Sequence, residues 1–160
     1  MTMRLWTIGH STRAIEAFLA LLEKDDIEVL ADIRRFPTSR WAQFKQPNLR
    51  ASLVAAGVEY VHIAELGGYR TGGYPAFTAT PEFRAGIDRL LALAAARRTA
   101  IMCAEAVFFR CHRRYVADEL VRCGAEVLHI MAPGRRYRHA ATGRLGGKGP
   151  PDRESDVPGP

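Results

Sequence analysis

Leu5-Trp6-Thr7-Ile8-Gly9-His10-Ser11 is a short apolar run closed by Gly-His-Ser, and Ile15, Phe18, Leu19 and Leu22 follow it at i, i+3, i+4 and i+7. The run fits a strand, and the later spacing lays one apolar stripe along a helix. The unit reads as strand, turn and helix, with Ser11 or Thr12 placed to cap the helix. Working outward, the alternation repeats. Ile27 to Ile33 is a second apolar run ending in Asp32-Ile33-Arg34-Arg35, and Pro47, Leu49, Leu53 and Val54 suggest a short helix stopped by Gly57. Val58 to Ile63 reads as a third strand that opens into an irregular, Gly-rich stretch holding Tyr74 and Phe77. Thr80-Pro81-Glu82 starts a helix with a capping hydroxyl, a proline in the first turn and an acid beside it. Thr99 to Cys103 makes a fourth strand, Cys111 to Val121 a helix closed by Gly124, and Glu126 to Met131 a fifth strand.

Strands that alternate with helices at such short spacings imply a mostly parallel sheet. The expected fold is therefore α/β, a three-layer sandwich of about five strands with helices on both faces. At 160 residues the chain suits one domain with a full core. We place that domain at 1–133 and expect 134–160, rich in Arg, Gly and Pro and without periodicity, to be a flexible tail. No apolar run is long enough to span a bilayer, and the N-terminus lacks the pattern of a secretory signal, so the expected location is cytoplasmic. Cys103, Cys111 and Cys123 are then read as reduced thiols. The formal net charge is +6. Half of that excess lies in the tail, where six Lys or Arg face three Asp or Glu, so charge alone points only weakly to nucleic acid.

In a parallel sheet, ligands settle outside the carboxyl ends of the strands, where loops converge and helices present their N-termini. Every polar cluster of this sequence falls at such an end. His10 and Ser11 follow the first strand, Asp32, Arg34 and Arg35 close the second, Gly67, Gly68 and Arg70 follow the third, and Cys103 and Glu105 close the fourth. Cys111, His112 and Arg113 stand at the next helix start.

These segments carry a resemblance. Thr7-Ile8-Gly9-His10-Ser11, the run from Asp32 to Ser39, Leu66-Gly67-Gly68-Tyr69-Arg70, and Cys103-Ala104-Glu105 with Cys111-His112-Arg113 together resemble the family known as domain of unknown function 488. The likeness covers roughly residues 4–131 and is specific as an ordered set. It implies no activity, since the family name assigns none. Ala106-Val107-Phe108-Phe109 is apolar where similar family members tend to be polar and acidic.

The residues themselves support several chemistries. Arg34, Arg35, Arg70 and Arg113 offer forked donors suited to phosphate or carboxylate, the helix starts near Ser11 and Cys111 supply backbone N–H donors, and Gly67 and Gly68 are further ligand-binding candidates; the arginines could equally pair with Asp32, Glu65 and Glu105 in a structural network. Glu105 and Asp32 sit as an acid–base pair would, and His10 and His112 could carry protons. Cys111, beside Arg110 and His112 at a helix start, is expected to have a lowered pKa. The interval from Cys103 to Arg110 is one residue too long for a phosphatase loop, and no paired Cys-x2-Cys spacing marks a zinc site. The loop Arg34 to Lys45 interleaves cations with Phe36, Trp41 and Phe44, as a base-stacking surface would.

The first expectation is an enzyme for an anionic substrate, phosphorylated or nucleotide-like and possibly within nucleic acid, with Glu105, Asp32, His10, Cys111 and His112 as candidate catalytic groups. The alternative is a non-catalytic nucleic-acid or nucleotide-binding module, and thiol or zinc chemistry at Cys103 and Cys111 ranks third. Partners are an anionic small molecule or nucleic acid and no membrane; the motifs identify no cofactor.

Overall fold

A computed structural model describes residues 3–140. The chain forms β1 (Arg4–Gly9), α1 (Ile15–Lys24), β2 (Val29–Asp32), α2 (Gln46–Ala55), β3 (Glu59–His62), α3 (Tyr74–Phe77), α4 (Pro81–Ala96), β4 (Thr99–Cys103), α5 (Arg113–Arg122), β5 (Glu126–Ala132) and β6 (Arg135–Arg138). They build one six-stranded sheet in the order β3-β2-β4-β1-β5-β6. The first five strands run parallel, and β6 closes the edge antiparallel to β5.

Alternate residues of each strand serve opposite faces. Leu5, Ala31, Ile101 and Val127 pack under α4 and α5 with Phe83, Ile87, Val116 and Leu120. Trp6, Ile8, Leu30, Met102 and Ile130 pack under α1 and α2 with Phe18, Leu22, Leu49 and Leu53. Every residue of β2 and β4 is buried, which is why those strands read as unbroken apolar runs. The three-layer α/β sandwich therefore stands.

Three local expectations need correction. To the expected sheet of about five strands is added a sixth, because Arg135–Arg138 pairs with Leu128, His129, Ile130 and Ala132, within what the sequence suggested was an irregular tail. The remainder of that expected tail, 141–160, lies outside the described residues. Ala14, not Ser11 or Thr12, is the N-cap of α1, and no side chain bonds there. Ser11 instead turns with φ of 49° and donates its N–H to the Ala104 carbonyl at 2.9 Å. The helix expected from Cys111 begins at Arg113, after a single 3-10 turn at Phe108–Arg110. By contrast, Thr80 caps α4 as its sequence suggests, accepting from the Phe83 N–H.

The order of connections positions the site. From β1 the chain moves outward to β2 and β3, returns to lay β4 between β2 and β1, and then crosses to β5 on the far side. The chain's direction of travel reverses beside β1 and β4, and a crevice opens where loops on either side of such a reversal part.

Candidate functional site: a cysteine-bearing cleft at the strand ends

Close backbone packing assembles the cleft. His10 N–H donates to the Cys103 carbonyl at 2.9 Å and Ile33 N–H to the Met102 carbonyl at 3.0 Å, so pairing continues past the strand ends. A Cβ on Gly9 would fall 1.9 Å from the Glu105 carbonyl oxygen, and one on Gly67 would fall 2.4 Å from the Arg35 nitrogen. Only glycine lets the loop after β4 cross β1 and lets the Gly67-Gly68 turn lie against Arg35. Arg35 Nη1 then donates to the Tyr69 carbonyl at 2.5 Å, and the Phe36 and Tyr69 rings stand 6.3 Å apart.

The resulting cleft encloses about 640 Å³ and is walled by residues from the β2, β3 and β4 loops and the start of α5. Of the residues singled out in the sequence, Arg34, Arg35, Gly68, Cys103, Glu105, Cys111 and His112 reach it. A second hollow of about 460 Å³, at the opposite end of the sheet around Trp6, Ala94 and Arg98, has no cysteine or histidine in its wall.

Several candidates are already engaged. Asp32 is fully buried; Oδ1 accepts from Arg34 Nε at 2.9 Å, and Oδ2 accepts from Arg34 Nη2 at 2.8 Å and from the Tyr60 hydroxyl at 2.6 Å. Arg34 spends its remaining donors on the Thr38 and Phe44 carbonyls. Arg70 is held by the Gly67, Ala64 and Glu65 carbonyls and by Glu82, with its guanidinium 4.1 Å from the Phe77 ring centre. His10 stacks on Phe44 at 4.4 Å and bonds the Ser11 carbonyl through Nδ1. It lies outside the cleft wall, and burial lowers its pKa. Asp32, Arg34 and Arg70 thus serve the frame around the cleft.

Two sulfurs form its floor. Cys111 Sγ is 2.9 Å from Cys103 Sγ, both are free thiols, and the Arg113 backbone N–H points at Cys111 Sγ from 3.4 Å. His112 Nδ1 lies 3.6 Å from the same sulfur. Arg113 is 0% exposed, yet its only side-chain bond runs from Nη2 to the Ala106 carbonyl, and its Nε and Nη1 have no partner among the described residues. Among the described residues, no carboxylate pairs with this charge. A buried, unpaired guanidinium is costly and favours an anion nearby. Its field reaches its neighbours: burial is the main cause of the lowered pKa values of Arg13, His112 and His129, and repulsion from Arg113 adds to each.

The Arg113 guanidinium also acts on the two thiols. Burial opposes ionisation of Cys103, but the Cys111 thiol's hydrogen bond and the Arg113 guanidinium outweigh it and hold the pKa at about 7. Cys111 is raised well above the ordinary range by its bond to Cys103 and by burial. The lowered pKa expected at Cys111 therefore falls on Cys103. Physically, the pair loses one proton readily and keeps the second, because full ionisation would place two anions 2.9 Å apart. His112 is held at about 4 by burial and so is neutral near pH 7. Among the described residues, no three His, Cys, Asp or Glu side chains are grouped to hold a metal ion.

Phe36, Tyr69 and Arg110, which the sequence places in three separate segments, meet at the rim. Phe36 is 60% and Tyr69 87% exposed at the cleft mouth, and Arg110 joins Arg35 and Glu105 there. Sequence reasoning missed a buried polar chain behind the floor. Thr7 Oγ1 lies 2.6 Å from His129 Nδ1, His129 Nε2 lies 2.9 Å from His139 Nδ1, and His139 Nε2 lies 2.5 Å from Asp118 Oδ1. The Asp118 carboxylate accepts from His139 Nε2 at one end of this chain. Phe108 stacks on His129 at 3.6 Å, so the apolar 106–109 segment packs its key ring inward. No local pattern could signal a contact made across two strands and a helix.

Fold and site together define a doubly covered α/β protein with a cysteine-bearing cleft at its strand ends. Residues 14–78 and 71–120 match the family described as Domain of unknown function DUF488, and the chain belongs to that family. No curated protein and no solved structure matches it. Among the described residues, no helix is long and apolar enough to cross a membrane.

Proposed function

We propose that this protein is an enzyme for a small anionic substrate, with the Cys103–Cys111 pair as its reacting group. The observation that supports this most is the buried Arg113, which has no carboxylate partner among the described residues and lies beneath two free sulfurs that face a cleft. A thiolate is the nucleophilic form of cysteine, and a guanidinium that stabilises it near neutrality prepares it for attack. The partly exposed Cys111 presents the sulfur, and Cys103 receives its proton. At the mouth, Arg35 and Arg110 outnumber Glu105, which favours an anion entering. Glu105 is the one proposed carboxylate left in the cleft wall.

The test is alkylation of Cys111 by iodoacetate and by iodoacetamide, followed peptide by peptide. The ratio of the two rates should fall roughly tenfold in an Arg35→Ala, Arg110→Ala double variant and should shrink with added salt. A ratio indifferent to both changes removes the anionic reading.

A second reading has its own support in the exposed Phe36 and Tyr69 beside Arg35, whose guanidinium is 5.4 Å from the Phe36 ring centre. Such a mouth suits a nucleobase with its phosphate, bound without chemistry. Binding of a nucleoside monophosphate would then survive Cys103→Ser and weaken by about 1–3 kcal/mol on loss of either ring. Calorimetric titration measures both; binding that ignores Phe36 and Tyr69 excludes this reading.

A further inference from the structure

Taking the cleft as an anion-binding thiol site, we infer that its chemistry is two-electron thiol–disulfide exchange with an anionic low-molecular-weight disulfide, Cys111 attacking and Cys103 resolving. A nucleophile that only formed a covalent adduct would need no second sulfur in contact. Here the second sulfur is 2.9 Å away, and a bond of ~2.05 Å needs only a small further approach. Any group attached through sulfur to Cys111 is thus exposed to displacement by Cys103 before it can be hydrolysed.

The geometry divides the roles. Cys111 is partly exposed and opens to the cleft, whereas Cys103 is 1% exposed and reaches Cys111 more easily than a ligand. Arg113 holds the negative charge of the pair until it is used. Arg35 and Arg110 at the mouth favour a disulfide carrying carboxylates over one carrying amines.

The steps balance. The reduced pair begins with one thiolate and one thiol. Cys111 sulfur attacks one sulfur of R–S–S–R, its proton passes to Cys103, and the first R–S⁻ leaves. Cys103 then gives that proton to the departing thiolate, forming R–SH, and its own thiolate attacks Cys111 sulfur, expelling the second R–S⁻. The external disulfide is reduced by two electrons and the cysteine pair is oxidised to a disulfide. A dithiol reductant reverses the change.

The experiment uses the reduced full-length chain in a Cys123→Ser background, mixed separately with oxidised glutathione, which is anionic, and with cystamine, which is cationic. Mass spectrometry of the quenched mixtures identifies the products. The expected product is an internal Cys103–Cys111 disulfide, lighter by two hydrogens, formed several-fold faster from oxidised glutathione and reversed by dithiothreitol. In Cys103→Ser, and in Cys103→Ala as a check on folding, a glutathione adduct should accumulate on Cys111. A wild-type adduct that persists on Cys111 without an internal disulfide overturns the exchange but leaves the anionic cleft intact. Equal rates, or faster reaction with cystamine, overturn the anionic cleft on which the inference rests. No reaction at either sulfur overturns the exchange.

Discussion

Asp32 receives both Arg34 side-chain donors and the Tyr60 hydroxyl in a site closed to water, so removing its carboxylate strands a guanidinium that is only 6% exposed. Asp32→Ala should cost about 3–5 kcal/mol, read from urea unfolding, and a loss below about 1 kcal/mol would contradict a structural role. His112 carries a pH signature with a defined sign. Its pKa in the fold, about 4, lies below the ordinary 6.5, so the unfolded chain binds a proton that the fold refuses. Its contribution is complete above pH 6.5 and is lost as pH falls toward 4, and burial lowers His10 and His129 in the same direction. Unfolding midpoints should therefore drop across that window, less so in His112→Gln; a flat profile would refute the assignment. Residue types at strand ends were legible from sequence, since Cys103, Glu105, Cys111 and His112 all line one cleft. Which arginine was already engaged was not, because the Asp32–Arg34 pair and the carbonyl cage around Arg70 depend on loop paths that no spacing encodes.

The loops that bound the cleft have little freedom. Gly9→Ala would press a methyl group into the Glu105–Ala106 backbone, so it should displace the segment carrying Cys103 toward Cys111 or destabilise the fold. Melting temperature together with the rate of Cys111 alkylation separates these effects, and an alanine variant unchanged in both would mean that the crossing is looser than described. β6 is tied down differently. Its neighbour His139 is buried between His129 and Asp118, so Asp118→Asn should weaken the edge while sparing the parallel core. Amide exchange should speed up in 135–139 and not in β4; uniform acceleration would contradict a local clasp. The buried strands were readable because apolar runs persist where both faces are covered. β6 was not, because Arg-Arg-Tyr-Arg has no apolar alternation and its pairing depends on backbone bonds and the His129–His139 contact. Ser11 likewise looked like a cap by spacing, yet the loop after β4 takes its N–H.

Across the molecule, parallel topology gathers turns far apart in sequence at one end of the sheet, and reversal beside β1 and β4 leaves a space between them. Alternating elements predicted the layers. Strand order and the position of the switch lay beyond local pattern, because both are set by which helix covers which face. That arrangement buries Arg113 behind the sulfur pair while Arg35 and Arg110 line the cleft. The most direct measurement is a thiolate titration by ultraviolet absorbance in a Cys123→Ser background. One of the two remaining thiols should ionise with a midpoint near 7, and Arg113→Met should move that midpoint up. If neither thiol ionises until well above that range, or if the Arg113 variant leaves the curve in place, the cleft holds no anionic sulfur and the proposed chemistry fails.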